Sequence, residues 1–362
     1  MAAIDVSNLS LNAKEAQAFS EFVIENTFNS PELSSLNTVF TGVKMKSQVV
    51  FASQFGKTGL GAGSDCARVS SGAGSELTEK FWEPAGIEDT ITLCQKDVNG
   101  LFKGYYNKIE DYKQNYEIEG SDEATFLSIL TLESIKPAIE RIVWLGDKSV
   151  AVATSGTSGI ADTAELSGDT VYYEEIDGIW AQIFDGVGTG STDISRYTIA
   201  ENTGTTTSAQ ALAAGRGITI LENTLQNADS RLRSDSNAQF YVSRSVFDNY
   251  VNSLVDKGAT YDIAIMENGL QTVSYKGYKV INMETVWIGL NDFVDNTVNN
   301  AGYNPNRCIL STPQNLPVAT LNEDDMSDVE SFYEQLTRTN YLAYGFSIDA
   351  MVAKNEMISV AY

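Results

Sequence analysis

The glycine-rich stretch QFGKTGLGAGSD contains the tripeptide Gly56-Lys57-Thr58, which matches the end of a phosphate-binding loop. In such a loop the pattern GxxxxGK[ST] wraps backbone N–H groups around a phosphate, and the lysine and hydroxyl reach the phosphates and Mg²⁺. The first glycine of the pattern is missing, because its position is occupied by Phe51. The glycine run after Thr58 is also unsuited to begin the required helix. We therefore predict no nucleotide site and interpret Lys57 as a contact residue or a solvated charge.

Carboxylates are the main remaining candidates for catalysis, because the chain contains no histidine. The lack of histidine excludes Ser-His-Asp triads, Cys-His dyads and HExxH zinc sites. The acidic run with Glu323, Asp324, Asp325 and Asp328 could supply a carboxylate pair for glycoside hydrolysis, or it could be a solvated loop. A carboxylate-based hydrolase is kept as an alternative, whereas our main interpretation is a protein that is not an enzyme and has no cofactor.

The composition excludes further classes of protein. The chain has 362 residues with 48 acidic and 24 basic side chains, a net charge of −24, which disfavours binding to nucleic acids and to anionic membranes. The three cysteines, Cys66, Cys94 and Cys308, are far apart and predict free thiols in a reducing compartment. No apolar run of about 18 residues is present, and the first residues lack a secretory pattern, so we expect cytoplasmic folding without a membrane segment. The charge fits either solubility or repulsion from packed DNA.

The glycine-rich stretch lies in a segment that we expect to project from the body of the protein. A predicted strand, KMKSQVVFASQF, leads into it, and TEKFWEPAGIEDTITLCQ returns from it. Six glycines between Gly56 and Gly74 pack against nothing and have a large ordering entropy. We therefore predict a long hairpin over residues 44–95 that obtains its missing burial from another subunit, with Phe81 and Trp82 as aromatic anchors.

Three helices are predicted after the projecting segment. The clearest runs from Ser121 to Leu145, with a serine cap, acids in its first turn and a glycine after its end. Pro137 lies inside it and should kink it or split it in two. Apolar spacing predicts a second helix over 209–232 and a third over 243–257.

A fourth helix, strands and turns complete the prediction. We expect a short amphipathic helix over 12–28 in an N-terminal arm, and strands and turns around Gly178. The other predicted features are strands at 238–242 and 308–312, a type I′ turn at Asn268-Gly269, and two closing strands joined near Lys354-Asn355.

The order of these elements resembles the major capsid proteins of tailed bacteriophages, which have the Hong Kong 97-type fold. Three passages also resemble the usual wording of that family: AQFYVSRSVFDNYVNSL (238–254), NRCILSTPQNLPVAT (306–320) and GFSIDAMVAKNEMISVAY (345–362). The resemblance implies an α+β fold. Its expected parts are an N-terminal arm (1–43), an extended loop (44–95), a peripheral domain with a long spine helix (96–175), an axial α/β domain (176–310) and a return to the peripheral domain (311–362).

The resemblance also implies a function. Such a protein self-assembles as hexamers and pentamers into an icosahedral phage head that encloses double-stranded DNA, and it is found in the virion capsid after assembly in the host cytoplasm. The implied partners are copies of the chain itself and portal, scaffolding and decoration proteins, with non-specific proximity to packaged DNA and no membrane. A tail or decoration protein is the alternative within a virion. The predicted inter-subunit contact residues are Gly56, Lys57, Thr58, Phe81, Trp82, Pro84, Phe19 and Phe22.

Overall fold

The computed structural model describes residues 33–43, 47–52, 77–94, 122–149, 170–190, 192–258, 264–266, 269–292, 294–295, 301–321, 330–334 and 339–362. Several predictions fall outside these residues: the helix of the arm with Phe19 and Phe22, the tip of the hairpin with Gly56, Lys57 and Thr58, and the acidic run at 323–328. Of the helices in the described part of the chain, none is long and apolar enough to cross a membrane.

The described secondary structure mixes helices and strands. The helices are α1 (Leu33–Leu36), α2 (Asp122–Leu145), α3 (Ile179–Gly186), α4 (Thr207–Gln210), α5 (Arg216–Asn227), α6 (Ser230–Arg233) and α7 (Arg244–Asp256). The strands are β1 (Thr38–Phe40), β2 (Gln48–Ala52), β3 (Leu77–Phe81), β4 (Ala85–Cys94), β5 (Ser195–Tyr197), β6 (Gln239–Val242), β7 (Ala264–Ile265), β8 (Gln271–Tyr275), β9 (Tyr278–Asn282), β10 (Val294–Asp295), β11 (Ala301–Gly302), β12 (Cys308–Ser311), β13 (Pro317–Thr320), β14 (Glu330–Glu334), β15 (Thr339–Ala350) and β16 (Ile358–Ala361).

The larger sheet has seven strands in the order β5-β16-β12-β6-β9-β8-β7. Its central strands are buried on both faces, as in β6, where Phe240 and Val242 pack with α5 and α7 while Tyr241 joins a second core. Strands that are covered on both faces appear in the sequence as continuous runs of apolar residues. The predicted strands at 238–242 and 308–312 are confirmed as β6 and β12. Their burial explains why the sequence predicts them.

The second core joins α2 and α3 to both larger sheets. Trp144 of α2 and Trp180 of α3 each meet Trp287 edge to face, with ring centroids 5.8 Å and 5.5 Å apart. The two helices approach closely where α2 ends, because a Cβ on Gly178 would lie 2.8 Å from the backbone nitrogen of Gly146. The end of α2 therefore packs with its backbone directly against the residue that precedes α3.

The second sheet is built around the long strand β15. On one side β4 pairs with it from Ala85↔Ile348 to Cys94↔Thr339. On the other side β15 pairs with β14 at one end and β13 at the other, and β1 runs parallel to β13. The return strand of the predicted projecting segment is therefore part of a sheet of its own chain.

Two secondary-structure predictions were wrong. The region around Gly178 contains the helix α3 instead of strands, because Ile179, Trp180, Ile183 and Phe184 recur with helical spacing and are all buried. The segment predicted as one helix over 209–232 is divided into α4, α5 and α6.

The break in that segment has a local cause. Gly215 adopts φ +81, which a continuous helix does not allow. The side-chain amide of Asn249 then donates to the carbonyls of Leu212 and Ala213 at 3.2 Å and 2.9 Å, so a neighbouring helix supplies partners for the interrupted turn.

Pro137 lies inside α2 without splitting it, so of the two predicted effects the split does not occur and the kink stays a prediction. Of the turn predicted at Asn268-Gly269, only Gly269 is described, with φ +83. A tight turn joins β8 to β9 at Lys276-Gly277, where both residues have positive φ, 50° and 89°. Positive φ at both central positions is typical of a type I′ hairpin turn.

The two predicted closing strands are present as β15 and β16, but they lie in different sheets. β16 pairs with β12 and β5 in the seven-stranded sheet. The segment 311–362 therefore contributes strands to both larger sheets, and its assignment as a return to the peripheral domain stays a prediction.

Candidate assembly interface

The predicted projecting segment contains a two-stranded hairpin. β2 and β3 pair antiparallel, from Gln48↔Phe81 to Ala52↔Leu77. This ribbon forms a sheet of its own, and neither of its strands pairs with another described strand. An isolated two-stranded ribbon is at best marginally stable in water, so it needs additional contacts.

Trp82 provides such a contact where β3 ends. Its side chain is 2% exposed and packs against Ala319 and Met351. Its ring centroid lies 6.3 Å from that of Phe40, and its backbone N–H donates to the carbonyl of Ser47 at 2.9 Å. Trp82 therefore attaches the root of the hairpin to the body of its own chain.

Two polar contacts flank this tryptophan. The Nζ of Lys80 donates to the carbonyl of Val352 at 2.5 Å, and burial lowers the pKa of the Lys80 ammonium. The backbone N–H of Glu83 donates to the carboxylate of Asp349 at 2.8 Å, and burial raises the pKa of Asp349. Both shifts have the cause expected when a charged group loses water.

The incoming side of the hairpin is attached as well. Backbone N–H groups of Gly42 and Val43 donate to the carbonyls of Leu321 and Thr320 at 2.9 Å and 3.1 Å. Both ends of the hairpin therefore start from the same place, the end of β13. This double attachment orients the ribbon relative to the sheet.

Exposed apolar side chains surround this root. Phe40 is 48% exposed, Phe81 51% and Leu321 48%. Large apolar side chains at the surface are candidates for contact with another protein, because aromatic residues dominate the energetics of interfaces. We refer to these three residues as the root patch.

The predicted contact residues in the described chain differ in their placement. Phe81 is exposed and available to a partner. Trp82 is buried by its own chain, so it does not need a neighbouring subunit, in contrast to our expectation. Pro84 is half-buried between β3 and β4. Their contacts with other subunits stay a prediction, which now rests on Phe81.

Sequence reasoning did not identify Phe40, Lys80 or Asp349. Phe40 follows an unremarkable polar segment, and Lys80 alternates with exposed residues like any lysine of a strand. Asp349 carried a usable signal, because it interrupts a strand whose neighbours Ile348 and Ala350 are buried.

A cavity of about 480 Å³ lies elsewhere, between β1, β6, β9 and the turn before β13. The charged side chain among its lining residues is Lys279, and no carboxylate lines it. Within the described residues, no three Asp, Glu, His or Cys side chains are arranged to hold a metal ion. This cavity therefore offers no carboxylate pair to the hydrolase alternative.

No protein-family model and no curated protein match the sequence. Solved structures do match. The capsid of an empty GTA particle is 12% identical, with a TM-score of 0.52, and the match covers 94% of this chain and 91% of that chain. The capsid structure of the cyanophage P-SCSP1u is 11% identical, with a TM-score of 0.50 and coverage of 99% and 94%. A structure from Gordonia phage Cozz is 12% identical, with a TM-score of 0.50 and coverage of 94% and 88%.

At such low identity the likeness shows the fold, and it extends over almost the whole chain. The chain therefore has the α+β fold of phage capsid proteins, and the Hong Kong 97-type fold expected from the order of its elements is confirmed.

Proposed function

We propose that this protein is a major capsid protein that assembles with copies of itself, as hexamers and pentamers, into an icosahedral phage head around double-stranded DNA. The observation that carries the proposal is the capsid fold over nearly the full chain, 94% in the match to the GTA capsid and 99% in that to the cyanophage capsid. A fold by itself does not define a function. The root patch adds a surface suited to a neighbouring subunit.

The hairpin fits a role between subunits. Its root is attached to the body by Trp82, while the exposed Phe81 is oriented for contact beyond its own chain. Subunits in a closed shell meet through repeated interfaces that typically bury roughly 1,600 Å² each. We propose that the root patch and the hairpin form part of such an interface.

The negative charge fits an inner wall that does not hold DNA tightly. With a net charge of −24, the chain repels phosphates, and packaged DNA would contact the wall without strong binding. Portal, scaffolding and decoration proteins are the further partners that we propose. We also propose the five domains implied by the resemblance, with the bounds given in the sequence analysis.

The test of this proposal is assembly of the purified full-length chain, alone and with a scaffolding partner, followed by size-exclusion chromatography and electron microscopy. We expect rings and closed shells. A chain that attaches only to preformed particles would support a tail or decoration protein, and a chain that stays monomeric under all these conditions would contradict the proposal.

Phe81→Ser tests the root patch. Because Phe81 is 51% exposed, we expect the free energy of unfolding of the unassembled chain to change by less than about 0.5 kcal/mol, while the yield of shells falls strongly. Val255→Ser is the control, since Val255 is 52% exposed on α7. Shell yields that are the same for both variants would remove Phe81 from the interface.

A further inference from the structure

Two short connectors carry the chain between the two larger sheets, and they lie side by side. One leads from β12 to β13, and the other, residues 351–357, leads from β15 to β16. We call residues 351–357 the crossing segment. The N–H of Met351 donates to the carbonyl of Pro317 at 3.0 Å, and the N–H of Ala353 donates to that of Asn315 at 2.9 Å. The crossing segment is therefore bonded both to the other connector and to the first residue of β13.

Side-chain amides also hold the crossing segment. The Oδ1 of Asn315 accepts the N–H of Lys354 at 2.8 Å, and its Nδ2 donates to the carbonyl of Lys354 at 3.0 Å. The Oε1 of Gln182, on α3, accepts the N–H of Val352 at 2.9 Å. The N–H groups of residues 351–354 thus all have partners, which makes their hydrogen exchange a sensitive reporter of local opening.

The hairpin contacts the same segment. Lys80 donates to the carbonyl of Val352 at 2.5 Å, and Trp82 packs against Met351. Just before the crossing segment, Asp349 accepts a backbone N–H from the residue after Trp82. Val352 is therefore bonded to the hairpin through its carbonyl and to α3 through its N–H.

We propose that Lys80 is a positioning residue that latches the hairpin to the crossing segment, so that the direction of the hairpin and the relative placement of the two sheets are set together. The inference rests on the proposed function in one respect, since it needs a neighbouring subunit that binds the hairpin. A force that a neighbour exerts on the hairpin is then transmitted to the crossing segment, which joins the two sheets of the subunit. Contact between subunits and the shape of each subunit are coupled through this bond.

Lys80 is chemically suited to this role. Its ammonium is partly withdrawn from water, so its bond to Val352 replaces part of the lost hydration. A hydrogen bond with a charged donor is stronger than one between neutral groups. Its four-carbon stem can pack along apolar surface while the ammonium reaches the carbonyl. A substitution that removes only the ammonium therefore breaks the latch and keeps most of the packing.

Hydrogen exchange on the unassembled full-length chain tests the latch. For Lys80→Met we expect exchange at Val352, Ala353 and Lys354 to accelerate by at least about tenfold, the effect of losing a hydrogen bond from a charged donor. Lys80→Arg should restore slow exchange, because a guanidinium can donate to the same carbonyl. Lys279→Met is the matched control, an exposed lysine of a strand outside the crossing segment, and it should leave these rates unchanged. Exchange in Lys80→Met equal to that of the unsubstituted chain would overturn the proposal.

A reciprocal variant keeps the proposal testable if Lys80→Met does not fold. Asn315→Ala removes the side-chain hydrogen bonds to Lys354 and so loosens the crossing segment from the other side. Exchange of the backbone N–H of Trp82, which donates to the carbonyl of Ser47, should therefore accelerate. An unchanged rate at Trp82 would show that the hairpin and the crossing segment are independent.

Assembly measured in parallel separates this inference from the proposed function. Shells from the unsubstituted chain together with unchanged exchange in both variants would reject the latch and leave the proposed function standing. Accelerated exchange together with a chain that never assembles would reject the proposed function and support the latch.

Discussion

At the scale of single residues, two glutamates illustrate how burial determines the contribution of an ion pair to stability. Glu201 and Arg216 form a bidentate pair, 2.6 Å and 2.9 Å, with side chains 19% and 25% exposed. The hydrogen bond from Arg216 holds the pKa of Glu201 below its usual value. Glu222 pairs with Lys276 at 2.9 Å, but these side chains are 42% and 52% exposed. Exposed pairs contribute little because water and salt screen them.

We predict that Glu201→Gln lowers the free energy of unfolding by about 1 kcal/mol at neutral pH. A carboxylate with a lowered pKa in the folded state stabilises the fold above its unfolded pKa, and the contribution is lost as the pH falls through the folded pKa. The difference between the variant and the unsubstituted chain should therefore vanish in acid. Denaturant unfolding at several pH values measures it.

Glu222→Gln is the control for that measurement, and it should change stability little at any pH. If both variants lose the same stability at neutral pH, the argument from burial fails.

At the scale of elements, the covering of the seven-stranded sheet depends on how closely α5 and α7 approach. Gly217 of α5 lies against the backbone of α7, where its N–H donates to the side chain of Asn249 at 2.7 Å. A Cβ at this position would lie 2.8 Å from the backbone nitrogen of Tyr250 and 2.9 Å from the carbonyl of Val246. These atoms belong to a helix backbone, so they cannot rotate away as a side chain would.

We predict that Gly217→Ala destabilises the chain by about 1–3 kcal/mol, because α5 and α7 must separate to admit the methyl group. This outcome opposes the usual gain from replacing glycine with alanine inside a helix. Thermal or denaturant unfolding measures the loss. Gly86→Ala, in β4, is the control, since a Cβ there meets nothing within 4 Å. A stabilised Gly217→Ala variant would contradict the close approach.

At the scale of the whole molecule, the net charge of −24 bears on the proposed assembly. Copies with the same sign repel one another over about one Debye length, roughly 10 Å at 0.1 M salt and 3 Å at 1 M. We therefore propose that a shell of such copies forms through short-range apolar contacts, to which we assign the root patch.

We predict that NaCl promotes assembly of the proposed shell: the protein concentration needed for half-maximal shell formation should fall as salt rises from about 0.05 M to 0.5 M. Light scattering follows the reaction. A neutral osmolyte at equal osmolality serves as the control for effects on water activity. A requirement for more protein at high salt would mean that attractive ion pairs dominate the interfaces.

Much of the candidate interface could not be predicted from the sequence. Exposed aromatics near the return of the hairpin were expected, and Phe81 is exposed, but the adjacent Trp82 is buried against Met351. Nothing local distinguishes the two side chains. Which of them faces the body depends on Ala319 and Met351, more than 200 positions further along the chain.

The sequence by itself determined the local structure with strong short-range signals: the limits of α2, the buried strands β6 and β12, the excess of acids and the exclusion of histidine chemistry. Caps and apolar periodicity depend on residues that are close together in the chain, so they can be recognised from the sequence alone. Only the tertiary structure decided that β15 and β16 separate into two sheets and that Lys80 reaches Val352, 272 positions away. Those partners meet through packing of the whole chain, and no local pattern encodes such a meeting.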